Sequence, residues 1–147
     1  MNYDNFYPFE YEPLSYNLEE LNPYISEYTL YFHHDKHYKN YVDKLNALIE
    51  RRPMLHNVSL EALTKMSDDD IRTNAGGVYN HELYFASLTP DDTEPSVRMM
   101  KLIDGSFGSE KEMWNEIIEA GLGIVGSGYV WLVLDNDGKL DVIVTHN

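Results

Sequence analysis

Three residues spaced four apart, His33, His37 and Tyr41, constrain this chain more than any other feature of its sequence. They lie in a long amphipathic α-helix that is predicted to begin at Ser26 and to end near Arg51, because apolar residues recur there at intervals of three and four. At about 100° per residue, each of the three is offset by about 40° from the one before, so all three project from one helical face. Imidazole and phenol groups need polar partners once buried. The stripe therefore predicts either a buried polar network or part of a metal site, and the spacing alone leaves both open.

A second long helix is predicted to begin at Ser67-Asp68-Asp69-Asp70, where a capping residue is followed by acids, and to run to about Leu88. His81 lies on this helix among aromatic residues, either as a metal ligand or as a core histidine with satisfied hydrogen bonds. Two helices that each present one inward His can share a metal ion. The same helix contains Gly76 and Gly77, which indicate close packing or room for a neighbouring group.

The other histidines are expected to lie outside the site. His34 points about 100° away from His33 on a regular α-helix, so we expect it at the surface or at a contact between lobes. His56 and His146 fall in loop or terminal contexts, where no special role is expected.

Composition excludes several classes of function. The formal net charge of -14 argues against nucleic-acid binding, which needs a basic surface. No run approaches 18 apolar residues, so no membrane span is predicted. The first residues lack the pattern of an export signal, so we expect a cytoplasmic location. The absence of Cys excludes a thiolate metal site.

The order of predicted elements is helices first and strands last. After the acidic segment 91–96, helices are predicted over residues 96–105 and 110–121, and strands over 128–134 and 140–145, joined by Asp-Asn-Asp-Gly. This order predicts an α+β protein, with a helical hairpin domain at residues 1–90 and the helical start and first β-hairpin of an α/β domain at 91–147. A two-stranded sheet leaves an unpaired edge. We therefore expect the architecture to continue beyond residue 147, or a homo-oligomer or another chain to complete the sheet.

Three segments carry a resemblance to a known family. The run YTLYFHHDKHYKNYVDKLN, the run NAGGVYNHELYF and the longer run GSFGSEKEMWNEIIEAGLGIVGSGYVWLVLDNDGKL resemble, in this order, the iron/manganese superoxide dismutases, with the first lobe most similar to bacterial members. The resemblance extends from about Tyr7 to Asn147.

By this resemblance, His33 and His81 match two metal ligands of the family. His37 and Tyr41 match the pair at the substrate opening, where the phenol would hydrogen-bond the water network and gate small anions.

Four further positions are implied to surround the metal. Tyr84 and Tyr129 match aromatic positions, and Tyr79 stands where the family usually has Trp. Gly77 matches a position that shapes the environment of the metal, and glycine there usually accompanies manganese rather than iron.

The implied activity is dismutation of superoxide to oxygen and hydrogen peroxide, with one manganese or iron ion and manganese slightly favoured. The family supplies two further ligands, an Asp and a His, from an Asp-x-Trp-Glu-His motif that these 147 residues do not contain. Two His alone should hold Mn²⁺ or Fe²⁺ weakly, and Zn²⁺ or Cu²⁺ should compete better. The prediction is therefore a dismutase if the missing Asp and His are supplied. The alternative is an inactive shortened relative that serves as a structural, assembly or metal-binding protein.

Overall fold

The computed structural model describes residues 5–146, which divide into two compact units. The first unit ends at Asp92 and the second begins at Thr93. In the part of the chain that the structure describes, no helix is long and apolar enough to cross a membrane.

The first unit is helical. Its elements in chain order are a 3₁₀ turn at Leu18–Leu21, α1 at Glu27–Tyr31, a π-helix at Phe32–Tyr38, α2 at Lys39–Glu50, a 3₁₀ turn at Pro53–Leu55, α3 at Leu60–Leu63 and α4 at Asp69–Ser87. As predicted, Ser26 begins the first long helical segment, where its hydroxyl accepts a hydrogen bond from the Thr29 N–H.

The prediction of one regular α-helix from Ser26 to Arg51 is wrong in its middle. The segment Phe32–Tyr38 is a π-helix, and the Lys39 N–H donates to the carbonyl of His34, five residues earlier. The buried positions explain this irregularity, since Leu30, His34, Tyr38 and Val42 recur every fourth residue. In a regular α-helix each such step would drift by about 40° around the axis. A π-helical turn holds more residues than an α-helical turn, so a four-residue step within it drifts the opposite way, and the two kinds of turn together keep these positions on one side.

A single hydrophobic cluster fills the first unit. Residues of α2 pack against α4, and the N-terminal segment closes one side of the cluster. Its fully buried members are Leu30, Tyr38, Val42, Leu45, Ile49, Leu63, Ile71, Ala75 and Val78. This cluster fixes the faces of α2 and α4 relative to each other, and it thereby positions the histidines that both segments carry.

The second unit has two helices and a hairpin. Its elements are α5 at Val97–Phe107, α6 at Glu110–Leu122, β1 at Gly128–Leu134 and β2 at Leu140–His146. The strands pair antiparallel, from Gly128 opposite His146 to Leu134 opposite Leu140. The predicted turn closes the hairpin, with Gly138 at φ +78°. Helices followed by an antiparallel hairpin confirm the predicted α+β class.

Asp68 supports the start of α4, and its replacement by alanine should destabilise the protein. Its carboxylate accepts hydrogen bonds from the Ile71 N–H and from Arg52, each at 3.1 Å. Loss of a helix cap costs about 0.5–2 kcal/mol, and the half-exposed ion pair adds little. We expect Asp68→Ala to lower the free energy of unfolding in urea by about 1–2 kcal/mol. Asp70→Ala removes the same charge from the same turn without removing a cap, so an equal loss there would contradict this role.

Candidate metal centre

The rings of His33 and His81 lie against each other. Their centroids are 4.9 Å apart, with ring planes at 81°. His33 comes from the π-helix and is half-buried, whereas His81 comes from α4 and is 2% exposed. The structure therefore brings together the two residues that the sequence predicts as metal ligands.

The orientation of His81 is set by its own helix. Its Nδ1 lies 2.6 Å from the carbonyl oxygen of Gly77, and because a carbonyl only accepts, Nδ1 carries the proton. The neutral ring then holds its lone pair on Nε2. Metal-binding histidines commonly donate their other ring N–H to a carbonyl in this way.

Burial keeps both imidazoles neutral at pH 7. It is the main cause that lowers the pKa of His81 to about 4, and the nearby rings of His33 and His37 lower it further. Burial is also the main cause that lowers the pKa of His33, followed by His37 and His34. Neutral imidazole is the form that binds metal. The pair therefore needs to lose no proton before it binds an ion at pH 7.

The other two residues of the predicted stripe also contact His81. The ring centroids of His37 and Tyr41 lie 5.1 Å and 5.4 Å from that of His81, and 5.1 Å from each other. Gly77 makes the approach of Tyr41 possible. A Cβ atom at Gly77 would lie 2.5 Å from Cγ and 2.6 Å from Cε1 of Tyr41. The predicted close packing is confirmed at Gly77, whereas a Cβ at Gly76 would meet nothing within 4 Å.

Aromatic side chains surround His33. Tyr84 and Phe85 each place a ring centroid 5.1 Å from it. The resemblance implies a role for Tyr84 only, whereas helical spacing already places Phe85 beside His81, four residues along the same face. Tyr79 is half-buried and packs against the core cluster. Tyr129 belongs to the second unit, where its ring stacks on Trp131.

The expectation that His34 lies at the surface or between lobes is wrong. It is 4% exposed inside the first unit. Its Nε2 donates to the carbonyl of Glu12 at 2.9 Å, and its Nδ1 accepts from the Tyr11 hydroxyl at 2.5 Å. The wider π-helical turn directs His34 inward, and the N-terminal segment supplies its partners. Nothing in the sequence near His34 identifies these N-terminal partners.

The two remaining histidines have surroundings of their own. His56 stacks on Tyr7 and hydrogen-bonds the Ile49 carbonyl at 3.2 Å. His146 ends β2 in the second unit.

A shallow depression in the first unit opens His33 and His37 to solvent. It has a volume of about 750 Å³ and is lined by Tyr28, Thr29, Phe32, His33, Lys36, His37 and Asn40. Small ions can therefore approach His33 and His37 directly.

The residues present fit two ligands of a transition-metal ion. Two neutral imidazoles lie in contact, and one has its lone pair oriented by a backbone carbonyl. Within residues 5–146, however, no group of three or more His, Asp or Glu side chains is arranged to hold a metal ion. Asp141 lies exposed in β2.

The fold and the histidine pair together define a two-domain protein with a helical hairpin first and an α/β domain second. Residues 8–89 match the α-hairpin domain of iron/manganese superoxide dismutases, and residues 95–147 match their C-terminal domain. The chain belongs to the iron/manganese superoxide dismutase family.

Several members of that family are similar over most of this chain. The manganese superoxide dismutase of Thermus thermophilus is 40% identical over 149 residues, covering 96% of this chain and 73% of that protein. The iron superoxide dismutase of Coxiella burnetii is 41% identical over 140 residues, covering 95% of this chain and 72% of that protein. A manganese superoxide dismutase of Bacillus anthracis is 39% identical, covering 95% of this chain and 70% of that protein.

Proposed function

We propose that this chain binds one manganese or iron ion through His33 and His81 and serves the dismutation of superoxide to oxygen and hydrogen peroxide. The contact between the two neutral imidazoles carries the proposal. Matching relatives are named as manganese or iron enzymes, which supports either metal. Gly77 slightly favours manganese by its resemblance to the family pattern.

The chain's own residues have distinct proposed roles. A bound manganese or iron ion supplies a reversible one-electron couple. His33 and His81 hold it, and the bond from His81 Nδ1 to Gly77 fixes the ring orientation. His37 and Tyr41 stand beside the pair and control access from the depression. Because the net charge of -14 repels superoxide at long range, Lys36 at the rim supplies local attraction.

Dismutation needs more ligands than the pair provides. Mn²⁺ and Fe²⁺ are weakly bound metals in the Irving–Williams order, and two imidazoles alone hold them loosely. We propose that an Asp and a His from outside these 147 residues complete the ligand set, and that the chain alone has little dismutase activity.

A second candidate is a catalytically inactive relative that serves as a structural, assembly or metal-binding protein. It is favoured because no group of three or more His, Asp or Glu side chains within residues 5–146 is arranged to hold a metal ion. A homo-oligomer, or another chain paired with the sheet, fits either candidate. The homo-oligomer, the pairing with another chain and the cytoplasmic location remain predictions.

Metal analysis of purified variants tests the proposed pair. Manganese or iron bound under saturating conditions should be lost in His33→Ala and in His81→Ala. It should be unchanged in His146→Ala, which removes an exposed imidazole from the second unit. Equal metal content in all four proteins would contradict the assignment.

Tyr41→Phe should alter anion gating while leaving stability almost unchanged. The substitution keeps the ring that packs on Gly77 and removes only the hydroxyl, whose hydrogen bond is worth about 0.5–1.5 kcal/mol net. In an enzyme completed by the missing ligands, we expect a changed pH profile or changed inhibition by azide or fluoride. Tyr24→Phe removes a hydroxyl from a 93% exposed ring and serves as the control. If Tyr41→Phe matches its parent in pH profile and inhibition, the gating role is wrong.

A further inference from the structure

Another cavity of the first unit lies between the N-terminal segment, the π-helix and α4. Its volume is about 640 Å³, which is typical of a small-molecule site. It shares no lining residue with the depression that opens His33 to solvent. Six of its lining residues are apolar, namely Phe6, Pro8, Pro13, Leu14, Phe85 and Ala86. The cavity is therefore a candidate binding site that is separate from the histidine pair.

The charged groups of this cavity are all carboxylates. Glu10, Glu12 and Glu82 line it, and none of its described lining residues is Lys or Arg. Within residues 5–146, no basic side chain forms an ion pair with any of the three. Glu82 is half-buried, and its hydrogen-bond partner is the neutral hydroxyl of Tyr38 at 3.4 Å. Because burying a carboxylate without a cation is costly, a positively charged ligand group would offset this cost.

Two buried side chains hold the acidic wall of the cavity in place. The Tyr38 hydroxyl donates to Oε1 of Glu82 and accepts from the Glu12 N–H at 3.3 Å. Nε2 of His34 donates to the carbonyl of Glu12 at 2.9 Å. Tyr38 is 1% exposed and His34 is 4% exposed. The Glu82 carboxylate and the backbone of Glu12 are therefore ordered before a ligand enters, which lowers the cost of binding.

The lining favours an organic cation over a metal ion. Among the described residues, no group of three or more His, Asp or Glu side chains could hold a metal ion. Apolar walls supply no ligands to a metal, whereas they suit the hydrocarbon part of an amine. The net charge of -14 also attracts cations at long range.

We propose that this cavity binds a primary amine with an apolar body. The ammonium group pairs with the Glu82 carboxylate, and the apolar body packs against Phe6, Leu14 and Phe85. This inference is independent of the proposed dismutase function, because it uses neither His33 nor His81.

Two ligands that differ in charge test this site. 4-Phenylbutylamine and the neutral 4-phenylbutanol are titrated by calorimetry into the protein at pH 8, where Glu82 is ionised and a primary amine is protonated. We expect the amine to bind at least about tenfold more tightly than the alcohol. Glu82→Gln should remove this preference and leave the affinity for the alcohol unchanged. Equal affinities of the two ligands for the parent, or an undiminished preference in Glu82→Gln, would overturn the proposal.

Control variants separate the cavity from the overall charge. Glu50→Gln removes the same charge from an exposed position at the end of α2 and should bind the amine like the parent. A loss in Glu50→Gln equal to that in Glu82→Gln would show attraction to net charge alone, against the proposal. Phe6→Ala removes an exposed aromatic part of the lining and should weaken both ligands. Circular dichroism checks that each variant folds, and Glu12→Gln, at an exposed position, gives a second test of the carboxylates by weakening the amine only.

Discussion

Gly77→Ala is expected to destabilise the protein and to displace Tyr41 from His81. The new Cβ would lie 2.5 Å from Cγ of Tyr41, close to the base of a side chain that cannot move aside without losing its packing. Overpacking of this kind costs about 1–3 kcal/mol, offset in part by up to about 1 kcal/mol from the better helix propensity of Ala. Urea denaturation measures the net loss, and the ring signals of Tyr41 and His81 in nuclear magnetic resonance report the displacement.

The neighbouring glycine provides a matched control with the opposite sign. A Cβ at Gly76 would meet nothing within 4 Å, in the same helix and with the same gain in propensity. Gly76→Ala should therefore raise the free energy of unfolding by up to about 1 kcal/mol. Two variants that are both more stable than the parent would show that the Tyr41 ring does not need the space at Gly77.

Glu82→Gln should stabilise the protein, and the gain should depend on pH. Glu82 follows His81 on α4, accepts a hydrogen bond from the Tyr38 hydroxyl at 3.4 Å, and lines a pocket of about 640 Å³ together with Glu12. Burial first, and then the charge of Glu12, raise the pKa of Glu82 from 4.5 to about 7. Glutamine keeps an acceptor for Tyr38 and removes the buried charge.

The direction of the pH dependence follows from the raised pKa. Above pH 7 the carboxyl is ionised in both the folded and the unfolded chain, so folding bears the full cost of burying the charge. Between pH 7 and 4.5 the folded chain binds the proton first, and this cost disappears. We expect Glu82→Gln to gain about 1–3 kcal/mol at pH 8 and little below pH 4.5.

A charge-matched control separates burial from net charge. Glu50→Gln removes the same charge from an exposed position at the end of α2. It should show little change in unfolding free energy at either pH. A gain for Glu82→Gln that is the same at pH 8 and pH 4 would contradict the buried-charge account.

Local signals predicted most of the fold. Ser26 caps its helix as predicted, and α4 is capped by Asp68, one residue after the predicted cap Ser67, since caps and acidic first turns act within a few residues. The hairpin also forms at the predicted turn, where Asp135 Oδ1 accepts hydrogen bonds from the Asp137 and Lys139 N–H groups.

The π-helix could not be predicted in the same way. It depends on which positions the tertiary core buries, and the burial of His34 depends on Tyr11 and Glu12, more than twenty residues earlier in the chain. One sequence signal could have indicated the π-helix: core positions that recur every four residues over several turns.

The sequence predicted which residues form the site but not all the contacts that they make. Spacing and resemblance identified His33, His37, Tyr41 and His81, which the structure brings together. Phe85 was expected only as an aromatic neighbour of His81, and the carbonyl of Gly77 was missed, because a backbone acceptor leaves no distinctive pattern in sequence. The metal-binding and gating roles of these residues remain predictions.

One measurement tests most directly whether His33 and His81 form half of a dismutase metal site. The chain is fused to the C-terminal segment of the Thermus thermophilus manganese enzyme that follows the matched region. Superoxide dismutation and bound manganese are then compared for the chain alone, the fusion, and the fusion carrying His81→Ala. We predict little activity for the chain alone, metal-dependent activity for the fusion, and loss of both metal and activity in His81→Ala. Full activity and metal content in the fusion carrying His81→Ala would contradict the account.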